Sequence, residues 1–123
     1  MALQGETGLW HQVLTHPDSY AETSCTSMFV YGLSRGVRLG WVREELEQKA
    51  VTAVDRGWLA LTQYGIDRFG NVHGVCRGSS YSFTPDYYKH ELNAVTNDTH
   101  GIGIVLLAGI ETGKLSEWLK QRS

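Results

Sequence analysis

The chain has 123 residues, with 11 Lys and Arg against 13 Asp and Glu, a formal net charge of −2 and 41% hydrophobic residues. That length suits one small domain and that balance an ordinary globular one; the lack of a basic stripe argues against nucleic acid or an anionic membrane surface as a partner. The longest apolar stretch, Ile102–Ile110, falls far short of the roughly 20 residues of a membrane span, while 14 glycines against 2 prolines require a local explanation.

The first residues carry neither a basic nor an apolar leader region. Cys25 and Cys76 form no C-x-x-C pair, which predicts reduced thiols and a cytoplasmic protein. Gly8–Leu14 reads as an extended or turn segment, and His16-Pro17 breaks the chain. A first helix is expected from near Ser19, because Ser19 and Glu22 have the spacing of a capping box. Its packed stripe is read as Cys25, Met28, Phe29, Gly32, Leu33, Gly36, Val37 and Gly40. A second helix is expected over Arg43–Tyr64, with Leu46, Ala50, Ala53, Val54, Gly57, Trp58, Leu61 and Tyr64 on one face and Gly65 as its stop. The short connection between the two predicts an antiparallel hairpin.

Gly70-Asn71 is turn chemistry, and a β-hairpin-like excursion is expected around residues 66–83, with strands near Val72–Cys76 and Ser80–Phe83. Asp86–Leu92 makes a turn or two of helix behind Pro85. Asn97-Asp98 caps a third helix over Thr99–Glu111. That segment is apolar on almost every side, which predicts burial all round. Gly113 is expected to end it, before a short amphipathic tail with Leu115, Trp118 and Leu119 on one side.

Metal-ligand spacing is missing: His11 and His16 are five apart, His90 and His100 ten apart, and no Cys/His knuckle exists. No nucleophile motif is present, and Cys25 on the packed stripe reads as an inert thiol. What remains is polar and aromatic groups at helix starts: Trp10 and His11; Glu22, Thr23 and Ser24; Arg77; Asp98 and His100. Singly each has a structural explanation, such as a cap or a core anchor. Together they suit a carbohydrate pocket, with aromatics to stack on sugar rings, Arg for a carboxylate, and His, Ser and Thr for hydroxyls.

The strings Gly8-Leu9-Trp10-His11-Gln12-Val13-Leu14 and Tyr20-Ala21-Glu22-Thr23-Ser24-Cys25-Thr26-Ser27-Met28-Phe29 resemble the unsaturated rhamnogalacturonyl hydrolases, glycoside hydrolase family 105, which are related to the unsaturated glucuronyl hydrolases of family 88. So, in the same order, do Gly57-Trp58, Asp67–Gly78 and Thr96–Gly103 running into Leu106–Gly109. The resemblance implies an all-α fold, part of an (α/α)6 toroid of six helical hairpins. Residues 1–123 would then be a single partial domain, the C-terminal third of the whole. It also implies an enzyme without metal or cofactor. Such enzymes act on small oligosaccharides from polysaccharide lyases, protonating the vinyl ether of a 4,5-unsaturated uronic acid so that water adds.

The family's general acid/base Asp lies on the N-terminal side of the G-L-W motif and has no matching position here, so no catalytic residue is assigned. Other members carry an aromatic–Gly–Arg run where this chain has Glu22-Thr23-Ser24-Cys25. Arg77 is the candidate for the missing positive charge. The expected partner is a small unsaturated oligosaccharide, with self-association through exposed helix faces as a further expectation. The competing reading is a non-catalytic carbohydrate-binding or structural helical module.

Overall fold

The computed structural model describes residues 1–122. Two short strands, β1 (Trp10–His11) and β2 (Ala21–Glu22), pair antiparallel with Trp10 opposite Glu22. Helix α1 (Thr23–Arg38) leaves directly from β2. Its N-cap is Glu22, whose carboxylate accepts from the Cys25 N–H. The expected Ser19–Glu22 capping box does not form. Pairing with β1 keeps residues 21 and 22 extended, so the helix begins only at Thr23. Ser19 is buried in the preceding turn instead, accepting from the Val13 N–H at 3.0 Å and donating to the His16 carbonyl at 2.7 Å.

The packed face of α1 coincides with the expected stripe only in part, with Gly36 and Val37 buried as expected. Its buried positions include Thr23, Thr26, Ser27, Val30, Ser34 and Val37, whereas Met28 is 49% exposed and a Cβ on Gly32 would meet nothing. Two of the hydroxyls bond inside the helix, Thr26 to the Glu22 carbonyl at 2.7 Å and Ser27 to the Thr23 carbonyl at 2.8 Å, and Thr23 bonds outside it, whereas the buried Ser34 hydroxyl has no hydrogen-bond partner among the described residues. Small side chains then let the neighbouring elements approach closely.

Helix α2 (Glu44–Ala60) continues into a π-helical turn, Leu61–Gly65. Ala50, Ala53, Val54, Gly57 and Leu61 are buried, as the periodicity predicts, but Tyr64, expected on the same face, is 59% exposed in the π-helical turn. Gly57 lies against Val30, and Gly65 near the C-terminal end of α2 lies against Thr23 at the start of α1, so the two helices run antiparallel.

Strand β3 (Val75–Cys76) pairs antiparallel with β4 (Ala94–Val95). The strand expected at Ser80–Phe83 is replaced by irregular chain. Its Ser80 and Ser82 N–H groups bond to the hydroxyls of Tyr87 and Tyr88 at 3.2 and 2.8 Å rather than to a strand. Tyr87–Glu91 is a single π-helical turn.

Helix α3 (Thr99–Arg122) is one continuous helix. Asp98 caps it as expected, accepting from the His100 N–H at 3.1 Å. Gly113 does not end it: that residue faces open space, and a single exposed glycine costs only about 1 kcal/mol of helix propensity. Nor is α3 buried all round. Val105, Ala108 and Leu115 face inward, while Leu106, Leu107 and Ile110 are 63%, 47% and 55% exposed. Helices α1 and α3 run the same way, since Arg35 and Arg38 near the end of α1 bind Glu111 beyond the middle of α3, both at 3.1 Å. Arg122 at the end of α3 meets Glu47 at the start of α2.

One apolar cluster, with Leu9, Val30, Val54, Leu61, Ala108 and Leu115 among its members, joins the three helices. A smaller one, Val72, Val75 and Val105 with Ile66 and Ile102, lies under the loops at the start of α3. No helix among the described residues is long and apolar enough to cross a membrane.

Candidate functional site

The polar loops gather where α1 and α3 begin, and backbone hydrogen bonds hold them together. The Thr23 N–H donates to the Gly74 carbonyl at 2.8 Å, and its hydroxyl donates to the His73 carbonyl at 2.5 Å. Gly74 has φ +73, and a Cβ there would stand 3.0 Å from the Thr23 hydroxyl, so this close approach needs glycine. Asn97, in the left-handed region at φ +59, exchanges bonds with Val72: its N–H donates to the Val72 carbonyl at 2.7 Å and its side-chain oxygen accepts from the Val72 N–H at 2.8 Å. The loop 66–76 is thereby tied to both helix starts.

At the centre is Glu22, 1% exposed. One carboxylate oxygen accepts from the Ser24 hydroxyl at 2.6 Å and the Cys76 N–H at 2.8 Å; the other accepts from the Cys25 N–H at 2.5 Å. This charge is stabilised by three donors and by its position at a helix N-terminus. Ser24 is buried with its hydroxyl turned to Glu22. Burial and the adjacent Glu22 charge push the Cys25 thiol well above its ordinary range, so it stays protonated at neutral pH. Burial likewise raises the Tyr20 hydroxyl, with Cys76 adding to the effect, and that hydroxyl donates to the Leu92 carbonyl at 3.1 Å.

The remaining candidates are spread around this clamp. Trp10 is buried, its ring meeting Phe29 edge-on at 5.1 Å, and it forms one wall of an apolar cleft of about 470 Å³ shared with Met28 and Leu33. His11 donates from Nδ1 to the Ser19 carbonyl at 2.7 Å and borders a separate, more polar depression. Arg77 is exposed and its guanidinium donates to the Glu91 carbonyl at 3.1 Å. Asp98 and His100 pair with each other at the start of α3. Glu22, Thr23 and Ser24 are therefore joined directly to the loop that carries His73 and Arg77, and through Asn97 to Asp98 and His100.

His73, grouped by the sequence with Cys76, Arg77 and Gly78, has a partner that spacing does not indicate, Asp67. His73 donates from Nε2 to Asp67 at 2.8 Å, and its Nδ1 lies 3.1 Å from the Thr96 hydroxyl. The His73 bond, reinforced by Asn71 and the Phe69 N–H, holds the Asp67 carboxyl well below its ordinary range. The available signal was Asp67 opening the Gly70-Asn71 turn, which aims its carboxylate at a side chain six residues on. Among the described residues, no group of three His, Cys, Asp or Glu is placed to hold a metal ion.

A family model described as Glycosyl Hydrolase Family 88 matches residues 1–116. The chain belongs to this family. It is 38% identical over 128 residues to Protein Atu3128 of Agrobacterium fabrum, covering 91% of this chain and 54% of that protein. It is 34% identical over 113 residues to the unsaturated 3S-rhamnoglycuronyl hydrolase of Alteromonas sp., covering 90% of this chain and 25% of that protein. Among solved structures it matches a possible member of the GH105 family from Salmonella enterica with TM-score 0.80 and 25% identity, over 95% of this chain and 29% of that one. A family 105 glycoside hydrolase from C. acetobutylicum matches with TM-score 0.74 and 28% identity, over 92% of this chain and 34% of that one. The chain spans about half the length of the first curated relative it matches, and its helices correspond to part of the toroid of these glycoside hydrolases.

Proposed function

We propose that this glycoside hydrolase family 88 chain forms one wall of the pocket that receives a 4,5-unsaturated uronic acid at the end of a lyase-generated oligosaccharide of the pectin type. The observation that carries the reading is the gathering of all the polar motifs at one end of the bundle, with α1 and α3 pointing their first turns the same way. In the reaction, an acid delivers a proton to one carbon of the uronate double bond and water adds its oxygen to the neighbouring carbon. The hemiketal so formed opens and releases the rest of the sugar.

In this reading the chain binds and orients but does not by itself supply the proton. Glu22 has both oxygens engaged by internal donors, and Asp98 is paired with His100. The residues 1–123 are then the C-terminal third of a toroid, and the acid comes from outside them. A non-catalytic sugar-binding module is the second reading, favoured by the same saturation of Glu22. The unsaturated uronide absorbs in the ultraviolet, so turnover is followed as loss of absorbance. The 123-residue chain should bind a lyase-produced disaccharide in calorimetry and leave the absorbance unchanged. Turnover by this chain that Asp98→Asn abolishes would overturn the assignment of the acid elsewhere.

A further inference from the structure

The irregular segment after β3 presents two aromatic rings almost completely to solvent: Tyr81 is 85% and Phe83 is 96% exposed. The rings meet edge-to-face, 6.0 Å between centroids and 83° between planes. The segment is not loose chain. The Tyr87 and Tyr88 hydroxyls hold the N–H groups of Ser80 and Ser82, the Ser82 hydroxyl accepts from the Thr84 N–H at 3.2 Å, and Arg77 ties its base to the Glu91 carbonyl. Two rings so exposed make a small apolar surface that a ligand with an apolar face can cover.

The surroundings indicate what. Ser79, Ser80 and Thr84 are exposed beside the rings, so the apolar surface is an island in a hydroxyl-rich rim. Two aromatic side chains offer a few hundred Å² at most, well short of the ~800 Å² per partner of a stable protein interface. That area does match the C–H face of one or two pyranose rings, whose hydroxyls would meet the rim. The segment is also continuous with the candidate site, since Cys76, from which it departs, donates to Glu22.

We infer that Tyr81 and Phe83 form an aromatic platform for the sugar units beyond the unsaturated uronate, a subsite that selects for oligosaccharide length. The inference rests on the function proposed above. Its partner is the neutral, C–H-bearing face of a pyranose, and it needs no charge. The internal bonds of the segment fix the platform before the sugar arrives, which limits the ordering loss on binding.

The test titrates the whole chain in calorimetry with an unsaturated disaccharide and with the unsaturated tetrasaccharide of the same backbone. The tetrasaccharide should bind about tenfold more tightly, in keeping with one good stacking contact, and Tyr81→Ala with Phe83→Ala should abolish that difference without changing disaccharide affinity. Trp41→Ala, an exposed ring at the α1–α2 connection, should leave both affinities unchanged. Equal affinity for the two sugars, or a length preference that survives the double substitution, would overturn the platform and leave the proposed function standing. Absence of binding to either sugar would instead overturn the proposed function, and the platform with it. A double variant that changes the oligomeric state in light scattering, with sugar affinity intact, would overturn the platform by showing that the rings cover a second protein surface.

Discussion

The backbone N–H of Cys76 donates to the buried carboxylate of Glu22 at 2.8 Å, joining β3 to the first turn of α1 across 54 residues of sequence. Glu22 also takes the Cys25 N–H and the Ser24 hydroxyl, so it is the knot of the polar end of the molecule. Glu22→Ala would strand these donors in a buried space. The expected loss is about 3 kcal/mol of unfolding free energy in urea titration, with Glu22→Gln losing about half as much because one oxygen still accepts. A Glu22→Ala loss below about 1 kcal/mol would mean that water replaces the carboxylate freely.

A second knot lies at the other end of α1. Glu111, 2% exposed, is held between Arg35 and Arg38. Arg38 is the more buried partner, so Glu111→Ala leaves its charge without compensation, and a loss of about 3 kcal/mol is expected. Arg35, 40% exposed at its side chain, is screened by water, and Arg35→Ala should cost under 1 kcal/mol. Thermal unfolding of the two variants checks the ranking; equal effects would contradict it.

Gly101 sets how closely α3 approaches β3. A Cβ there would lie 2.4 Å from Val75 Cγ2, inside a cluster with no slack. Gly101→Ala should therefore destabilise by about 2 kcal/mol through overpacking. Adding Val75→Ala relieves the clash, and the double variant should be more stable than the sum of its parts. Strict additivity in a double-mutant cycle would show that the contact is not what glycine serves.

The Asp67–His73 pair predicts an acid-sensitive loop. The folded Asp67 carboxyl titrates below its unfolded value of 3.8, so between the two values the unfolded chain binds more protons. Its stabilising contribution is complete above 3.8 and is lost as pH falls through the lower folded value. Asp67→Asn should lower stability in the neutral region and flatten the acid limb of a stability–pH curve, so that the two curves converge at low pH. A curve parallel to that of the unmodified chain would remove Asp67 from the account.

Leu106, Leu107 and Ile110 form an unpartnered apolar strip on α3. Self-association of the isolated chain through this strip is proposed, because exposed patches of this kind recruit partners. Light scattering should show mass rising with concentration, and Leu106→Lys with Ile110→Glu should return it to a monomer. Concentration-dependent mass that survives both substitutions would move the contact elsewhere.

Much of the helical layout is legible in the residues. The inward face of α2, the Asp98 cap and the irregular character of the chain between the helices follow from periodicity and local turn chemistry. The packed face of α1 departs from the expected stripe for a definite reason. Its buried Thr23, Thr26, Ser27 and Ser34 count as polar in any hydrophobic pattern, yet Thr26 and Ser27 bond back to their own helix and Thr23 bonds across to the His73 carbonyl. The start of α1 departs from the expectation because pairing with β1, a contact made before the helix begins, overrides the capping signal at Ser19. The exposed Leu106, Leu107 and Ile110 of α3 show the converse: apolarity on every side does not by itself predict burial. Asp67 and His73 are within one motif, but their pairing depends on the turn geometry between them and not on residue type alone.

The first turn of α1 is already occupied as a receptor for negative charge. The Thr23 and Cys25 N–H groups are taken by Gly74 and Glu22, and the full charge of Glu22 sits at the positive end of the helix dipole. An incoming carboxylate would meet a like charge there in a space of low polarity. Under the function proposed above, this helix end would repel a uronate, whose carboxylate would then enter with its charge turned away from α1.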